Sequence, residues 1–238
     1  MSENVTSAVI LAGGLGTRLR DAVPDVPKPM APVNGRPFLE HQIDYWIGQG
    51  IDHFILSVGY RREVIMAHFG TYYRNARIDY AVETTPLGTG GGLLLAVDRL
   101  VDQKTFLLLN GDTFFEVSLD ELVGFHARSQ ADWTISLFAT SDTGRYMGLE
   151  VDVDGCILSL CSKGVQPRWL ANGGVYLLKA ELLSASAWKR GIRLSLEEDI
   201  MPALLKDGIR FYGLECGGRF IDIGVPEDYV RSVAMLAK

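Results

Sequence analysis

Two kinds of apolar pattern alternate along this chain. Short runs rich in Val, Ile, Leu and Phe, at Ala8–Leu11, Phe54–Val58, Ile78–Val82 and Thr105–Leu109, are bounded by glycine or polar residues and predict buried strands. Between them, apolar residues recur at helical spacing over Phe38–Ile47, which stops at Gly48 and Gly50, over Glu63–Phe69, and over Leu93–Leu100. Strands separated by helices in this way imply βαβ units, a mainly parallel sheet and helices on both faces. Ligands of such sheets bind beyond the carboxyl ends of the strands. The pattern then changes. Asp132–Phe138 reads as a strand, Gly148–Leu158 as a hairpin turning at Asp154-Gly155, and Ala171–Tyr176 as a further strand. Ser195 is placed to cap a helix opening at Leu196, where Glu197, Glu198 and Asp199 suit the first turn. Arg219–Ile223 is apolar again, and one helix ends the chain. The prediction is a single α/β domain over residues 1–238, a three-layer sandwich around a mainly parallel mixed sheet with a small antiparallel lobe.

Composition narrows the class without changing this picture. Of 238 residues, 47% are apolar and 22% charged, an ordinary globular balance with material for a large core. No uncharged apolar run reaches the length of a membrane span. Met1–Ser7 is polar, holds Glu3 and has no basic segment, so it does not read as a signal peptide. Cys156, Cys161 and Cys216 lack metal-ligand or disulfide-framework spacing, which fits a reduced cytoplasm. The formal charge of −6 speaks against a nucleic-acid partner. A phosphate site needs only local cations, and Arg18, Arg20, Lys28 and Arg36 outnumber Asp21 and Asp25 in the segment from Gly13 to Arg36.

The first strand runs into Leu11-Ala12-Gly13-Gly14-Leu15-Gly16-Thr17-Arg18-Leu19, with Pro27-Lys28-Pro29-Met30 downstream. Backbone N–H groups of a glycine loop can converge on an anion. A Walker A loop is excluded, because no Gly-Lys pair occurs, and Leu19 stands where a dinucleotide fingerprint needs its third glycine. Glycines alone would mark only a βα turn. Arg18, a fork of donors, and Lys28, a point charge held between two prolines, turn the loop into a clamp for a polyphosphate. Three other strand ends carry chemistry. Glu83 follows Val82 and precedes Gly88-Thr89-Gly90-Gly91-Gly92, whose glycines would admit close approach of a base or phosphate. Asn110-Gly111-Asp112 ends a buried strand, and Asp222 ends another.

The segments Gly13–Leu19 and Pro27–Met30 resemble the signature of the sugar-nucleotide pyrophosphorylases, nucleotidyltransferases that join a nucleoside triphosphate to a sugar 1-phosphate. The resemblance runs over nearly the whole chain, through Gly88-Thr89-Gly90-Gly91, Ala171-Asn172-Gly173-Gly174-Val175-Tyr176 and Asp222-Ile223-Gly224-Val225-Pro226-Glu227-Asp228-Tyr229. It implies a Rossmann-like fold with the antiparallel lobe over the sugar side, and catalysis by Arg18, Lys28 and Asp112. It implies nucleotide binding by Leu11, Ala12, Gly13, Gly14, Gly16, Thr17, Glu83, Gly88 and Thr89, and sugar-phosphate binding by Gly148, Lys163 and Asn172. Mg²⁺ would be held by Asp112 and Asp222. Ser162-Lys163-Gly164 departs from the family's Glu-Lys-Pro but keeps its cation.

Glu83-Thr84-Thr85-Pro86-Leu87-Gly88-Thr89 resembles the guanylyl-transferring members. An ionised carboxylate only accepts hydrogen bonds, and guanine offers adjacent N–H donors. The short members of this type act on D-glycero-D-manno-heptose 1-phosphate, whereas those acting on mannose 1-phosphate usually carry a C-terminal extension. The resemblance therefore implies GTP and that heptose 1-phosphate as substrates, GDP-heptose as product, and a place in bacterial capsule or lipopolysaccharide synthesis. A uridylyl- or thymidylyltransferase acting on a hexose 1-phosphate, and a non-catalytic nucleotide-sugar sensor, are the alternatives. The sequence leaves the oligomeric state open, a homo-oligomer included.

Overall fold

The computed structural model describes residues 4–14, 16, 19, 23–142, 145–146, 148–161, 169–184 and 186–237. Its strands are β1 (Ser7–Leu11), β2 (Pro32–Val33), β3 (Arg36–Pro37), β4 (His53–Val58), β5 (Tyr72–Tyr73), β6 (Ala76–Val82), β7 (Thr105–Asn110), β8 (Thr113–Phe115), β9 (Trp133–Thr140), β10 (Gly148–Val151), β11 (Ile157–Cys161), β12 (Trp169–Lys179), β13 (Phe211–Glu215) and β14 (Phe220–Asp222). The α-helices are α1 (Phe38–Ile47), α2 (Arg62–Phe69), α3 (Gly88–Val97), α4 (Leu119–Arg128), α5 (Met201–Lys206) and α6 (Pro226–Met235).

A ten-stranded sheet runs in the order β11-β10-β12-β7-β1-β4-β6-β5, with β9 paired to β12 and β13 paired to β9. The central strands β7, β1, β4 and β6 are parallel, so their carboxyl ends, Asn110, Leu11, Val58 and Val82, share one edge. Side chains alternate across the sheet with the period of a strand. Ala8 and Ile10 of β1 join Leu39, Ile43 and Trp46 of α1 in one buried cluster, while Val9 joins Leu93, Leu94 and Val97 of α3 in another. Helices on both faces make the predicted three layers. The hairpin predicted over Gly148–Leu158 forms as β10 and β11, which are antiparallel to each other and extend one edge of the main sheet.

Two local departures from expectation have physical causes. First, α3 begins at Gly88, whereas the sequence predicts a helix over Leu93–Leu100. The N–H groups of Gly90 and Gly91 both donate to the Leu194 carbonyl, at 2.9 and 3.2 Å, so a distant segment satisfies the opening turn. Second, the helix expected from Leu196 is a π-helical turn, Leu196–Ile200, followed by α5. Pro202 cannot donate to the ladder, so the helix restarts around it. Ser195 does cap this turn, its hydroxyl accepting from the Glu198 N–H at 3.1 Å. The strand expected over Arg219–Ile223 forms as β14, outside the main sheet. It pairs antiparallel with β8, Asp222 opposite Thr113, and this small sheet sits where β7 ends.

Candidate active site

The parallel strand ends open into a cavity of about 540 Å³, a size suited to a small ligand. Leu11, Ala12, Gly13, Gly14 and Gly16 of the first loop line it, with Lys28, Glu83, Gly88, Thr89 and Asp112. Ten of the residues singled out in the sequence thus meet in one place. Thr17, Arg18 and Lys163 lie outside the described residues.

The first loop is tied to its neighbours through backbone bonds. The Ala12 N–H donates to the Ser57 carbonyl at 2.8 Å, and the Gly111 N–H to that of Leu11 at 3.0 Å. Gly16 has φ of +59°, the left-handed region that glycine enters without strain. Lys28 opens a short 3₁₀ turn behind Pro27, and its ammonium donates to Asp112 Oδ2 at 2.5 Å. The same nitrogen lies 3.8 Å from Asp222 Oδ1. Asp222 reaches this position because β14 pairs with β8, and the Ile223 N–H donates to the Asp112 carbonyl at 3.0 Å.

Glu83 also lines the cavity and is buried. Its Oε1 accepts from the Ser57 hydroxyl at 3.1 Å and its Oε2 from the Leu87 N–H at 2.9 Å. The carboxylate therefore braces the turn into α3 while lining the cavity. The glycines that follow serve packing against protein more than the open site. A Cβ on Gly91 would lie 2.6 Å from the Ile192 carbonyl oxygen, and one on Gly92 would lie 2.8 Å from Ser57 Oγ. The close approach read from these glycines is made by the chain itself. Thr89 donates its hydroxyl to Glu197 at 3.0 Å and accepts from the Leu196 N–H at 2.8 Å, locking α3 to the π-helical turn.

Two residues expected on the sugar side do not line this cavity. The Trp169 indole covers Gly148, where a Cβ would fall 1.9 Å from the ring. Both ends of the Asn172 amide are engaged inside the fold, donating to Tyr176 Oη at 2.7 Å and accepting from the Gly174 N–H at 3.0 Å. The latter bond stabilises a bend in β12 at Gly174, where φ is +72° and pairing with β9 shifts register.

Several lining residues carried no local signal of a site. Ser57 sits in the middle of a strand pattern, and Arg193 and Glu197 come from a segment brought in through Leu194. Arg145 stands behind Asp222, donating to its carbonyl at 3.2 Å and its Oδ2 at 3.4 Å, and forming an ion pair with Asp228. Burial works against the Arg145 charge, but the Asp228 and Asp222 carboxylates outweigh it and raise the pKa. A GxGxxG-like string would have been found by motif, whereas these residues depend on folding.

The donor set suits a hard divalent cation. Asp112 and Asp222 present carboxylate oxygens toward one point, which the Lys28 ammonium marks as favourable for positive charge. Mg²⁺ is typically held by one or two carboxylates, with phosphate and water completing the shell. Among the described residues no cluster of three or more acidic, His or Cys ligands is present. No helix in the described residues is long and apolar enough to cross a membrane.

Comparison with known proteins places the chain in one family. The Nucleotidyl transferase family profile matches residues 7–238. The chain is 37% identical over 225 residues to a D-glycero-alpha-D-manno-heptose 1-phosphate guanylyltransferase of Aneurinibacillus thermoaerophilus, covering 94% of this chain and 96% of that protein. It is 37% identical over 222 residues to one of Campylobacter jejuni, covering 93% and 96%. The crystal structure of HddC from Yersinia pseudotuberculosis superposes with a TM-score of 0.85 at 32% identity, over 98% of this chain and 100% of that one. With a matching profile, near-complete overlap and the fold and cavity described above, the chain belongs to the nucleotidyl transferase family.

Proposed function

We propose that this protein, as a single domain, transfers GMP from GTP to D-glycero-D-manno-heptose 1-phosphate, releasing pyrophosphate. The observation that carries this reading is the meeting of Asp112 and Asp222 at Lys28, with Lys28 and Asp112 lining the glycine-rich cavity. The named activity of the relatives, and the HddC structure solved with GMP-PN, support the choice of guanine and heptose.

The nucleophile is a phosphate oxygen that is already anionic, so no side-chain base is needed. The demand on the protein is positioning and charge neutralisation. First-loop amides at Gly13 and Gly14 would cradle the triphosphate, with Arg18 at the leaving pyrophosphate. Lys28 would meet the α-phosphate, and removing it should cost about 2–4 kcal/mol of transition-state stabilisation. Asp112 and Asp222 would hold Mg²⁺, which when bound neutralises phosphate charge. Lys163 would receive the sugar phosphate. Gly148 and Asn172 would shape the sugar side through β10 and β12. Glu83 would accept from the guanine edge with the lone pairs that Ser57 and Leu87 leave free.

The test is a pyrophosphate-release screen of the four ribonucleoside triphosphates and dTTP against a panel of sugar 1-phosphates with Mg²⁺. GTP with the heptose 1-phosphate is expected to give the highest kcat/KM. A higher value with UTP or dTTP and a hexose 1-phosphate would replace this reading.

A further inference from the structure

We infer that Lys28 is a tethered cation that pairs with Asp112 and Asp222 until metal and nucleotide arrive, and then passes from the carboxylates to the phosphates. This rests on the reading of Asp112 and Asp222 as the metal carboxylates. The Lys28 ammonium contacts Asp112 at 2.5 Å and lies 3.8 Å from Asp222, and its side chain is only 9% exposed. A divalent ion bound by both carboxylates would use the same oxygens, so ammonium and metal compete for one place.

The surroundings hold the lysine in that place without blocking its exit. A Cβ on Gly16 would sit 2.8 Å from Lys28 Cβ, and one on Gly224 would sit 3.2 Å from its Nζ. The stem thus passes between two positions that have no side chain. Asp222 Oδ1 is held by the Gly224 N–H at 2.6 Å, and Arg145 binds Asp222 through its other oxygen. That carboxylate therefore keeps its orientation when Lys28 leaves. The ammonium faces the cavity that would hold the triphosphate. A flexible four-carbon stem can swing it a few ångströms to a phosphate oxygen. With metal and nucleotide both bound, neither the carboxylates nor the ammonium is left buried and unpaired, which is the costly condition.

The arrangement couples the two ligands. Metal alone must displace the ammonium with no new anion to receive it, whereas metal with nucleotide supplies that anion. Nucleotide should therefore raise metal affinity, and metal should raise nucleotide affinity by the same factor.

The experiment titrates Mn²⁺ as the probe, followed by electron paramagnetic resonance, into wild type and Lys28→Met, each with and without a non-hydrolysable GTP analogue. Thermal unfolding is recorded alongside. Lys28→Met is expected to bind Mn²⁺ alone at least about tenfold more tightly than wild type, since a close competing charge is gone. Its metal-free form should melt lower and be restored by Mn²⁺, and the enhancement by nucleotide should shrink. Lys28→Arg, which keeps the cation, should bind Mn²⁺ alone as weakly as wild type. Lys28→Gln serves the same comparison if the methionine variant does not fold. Retained Mn²⁺ binding with equal or weaker affinity in the neutral variants overturns the exchange alone. Absence of Mn²⁺ binding to wild type even with nucleotide overturns the metal reading, and the exchange with it.

Discussion

Arg145 grips Asp222 at two points, its guanidinium donating to the carboxylate Oδ2 and to the backbone carbonyl of the same residue. The other side of the guanidinium pairs with Asp228, a buried residue of α6 that also accepts from Arg231 at 2.7 Å. Asp222 is thus joined to the helix that follows it, and its orientation depends on an arginine from a different part of the chain.

On the proposal that Asp222 holds Mg²⁺, loss of the arginine behind it should cost about 10–100-fold in metal affinity or activity, the common scale for such a partner. Arg145→Met is expected to raise the Mg²⁺ concentration needed for half-maximal turnover by an amount in that range. Arg145→Lys should recover part of it. Metal titration of steady-state rates checks this, and an unchanged metal requirement would reduce Arg145 to a packing role.

Asp112→Asn and Asp222→Asn should each nearly abolish turnover while the protein stays folded. The first carboxylate is 40% exposed, and neither contributes to an apolar cluster. Circular dichroism and activity measured on the same samples separate the two effects. A variant with near-normal Mg²⁺-dependent rate would remove its residue from the site.

Glu83→Gln addresses base choice. The amide can still accept from Leu87, but its NH₂ would face guanine donors where the carboxylate accepted. Discrimination of GTP over UTP should fall by about 1–3 kcal/mol in kcat/KM, the scale of an unpaired buried polar group. If Glu83 serves only the loop, through Ser57 and Leu87, activity with both nucleotides should fall alike. The ratio of the two kcat/KM values is the measurement that decides.

Gly148→Ala pushes a methyl group into the Trp169 indole. Overpacking of this kind costs about 1–3 kcal/mol. A lower melting temperature with a changed near-ultraviolet signal from the tryptophan is expected. An unaltered melting temperature would show that Trp169 moves aside freely.

Asp132 predicts a pH dependence. Burial would raise its pKa, but hydrogen bonds from Arg210 and Lys179 prevail and hold it well below the usual carboxylate range. A depressed folded-state pKa contributes stability above the unfolded value, near 3.9, and that stability is lost as pH falls toward the folded value. Asp132→Asn should therefore lower the melting temperature at pH 7, with the gap to wild type narrowing below about pH 4. A gap that stays constant on acidification would exclude the charge as its source.

Much of this molecule was legible locally. The apolar spacing from Phe38 to Ile47 coincides with α1 at both ends, because that helix buries a continuous face and stops at a glycine. The runs at Phe54–Val58 and Thr105–Leu109 became strands with one residue added to each, since buried parallel strands need little but apolar, β-branched surface. Gly13, Gly14 and Asp112 could be placed at strand ends for the same reason, because a strand that stops at a glycine turn delivers whatever follows to the edge of the sheet.

What folding alone settled is the company these residues keep. Asp222 meets Asp112 through the pairing of β14 with β8, and no periodicity announces a pairing across so long a separation. Gly90 and Gly91 read as open to a ligand, but the Leu194 carbonyl takes their N–H groups and the Ser195 and Ile192 backbone fills the space beside them. Arg145 carries no local signal in the sequence, and Ser57 reads as any strand residue. Burial patterns are short-range and survive in the sequence as alternation. Strand register, ion-pair choice and the closing of one segment over another are set by the total free energy of packing distant elements, which no single stretch contains.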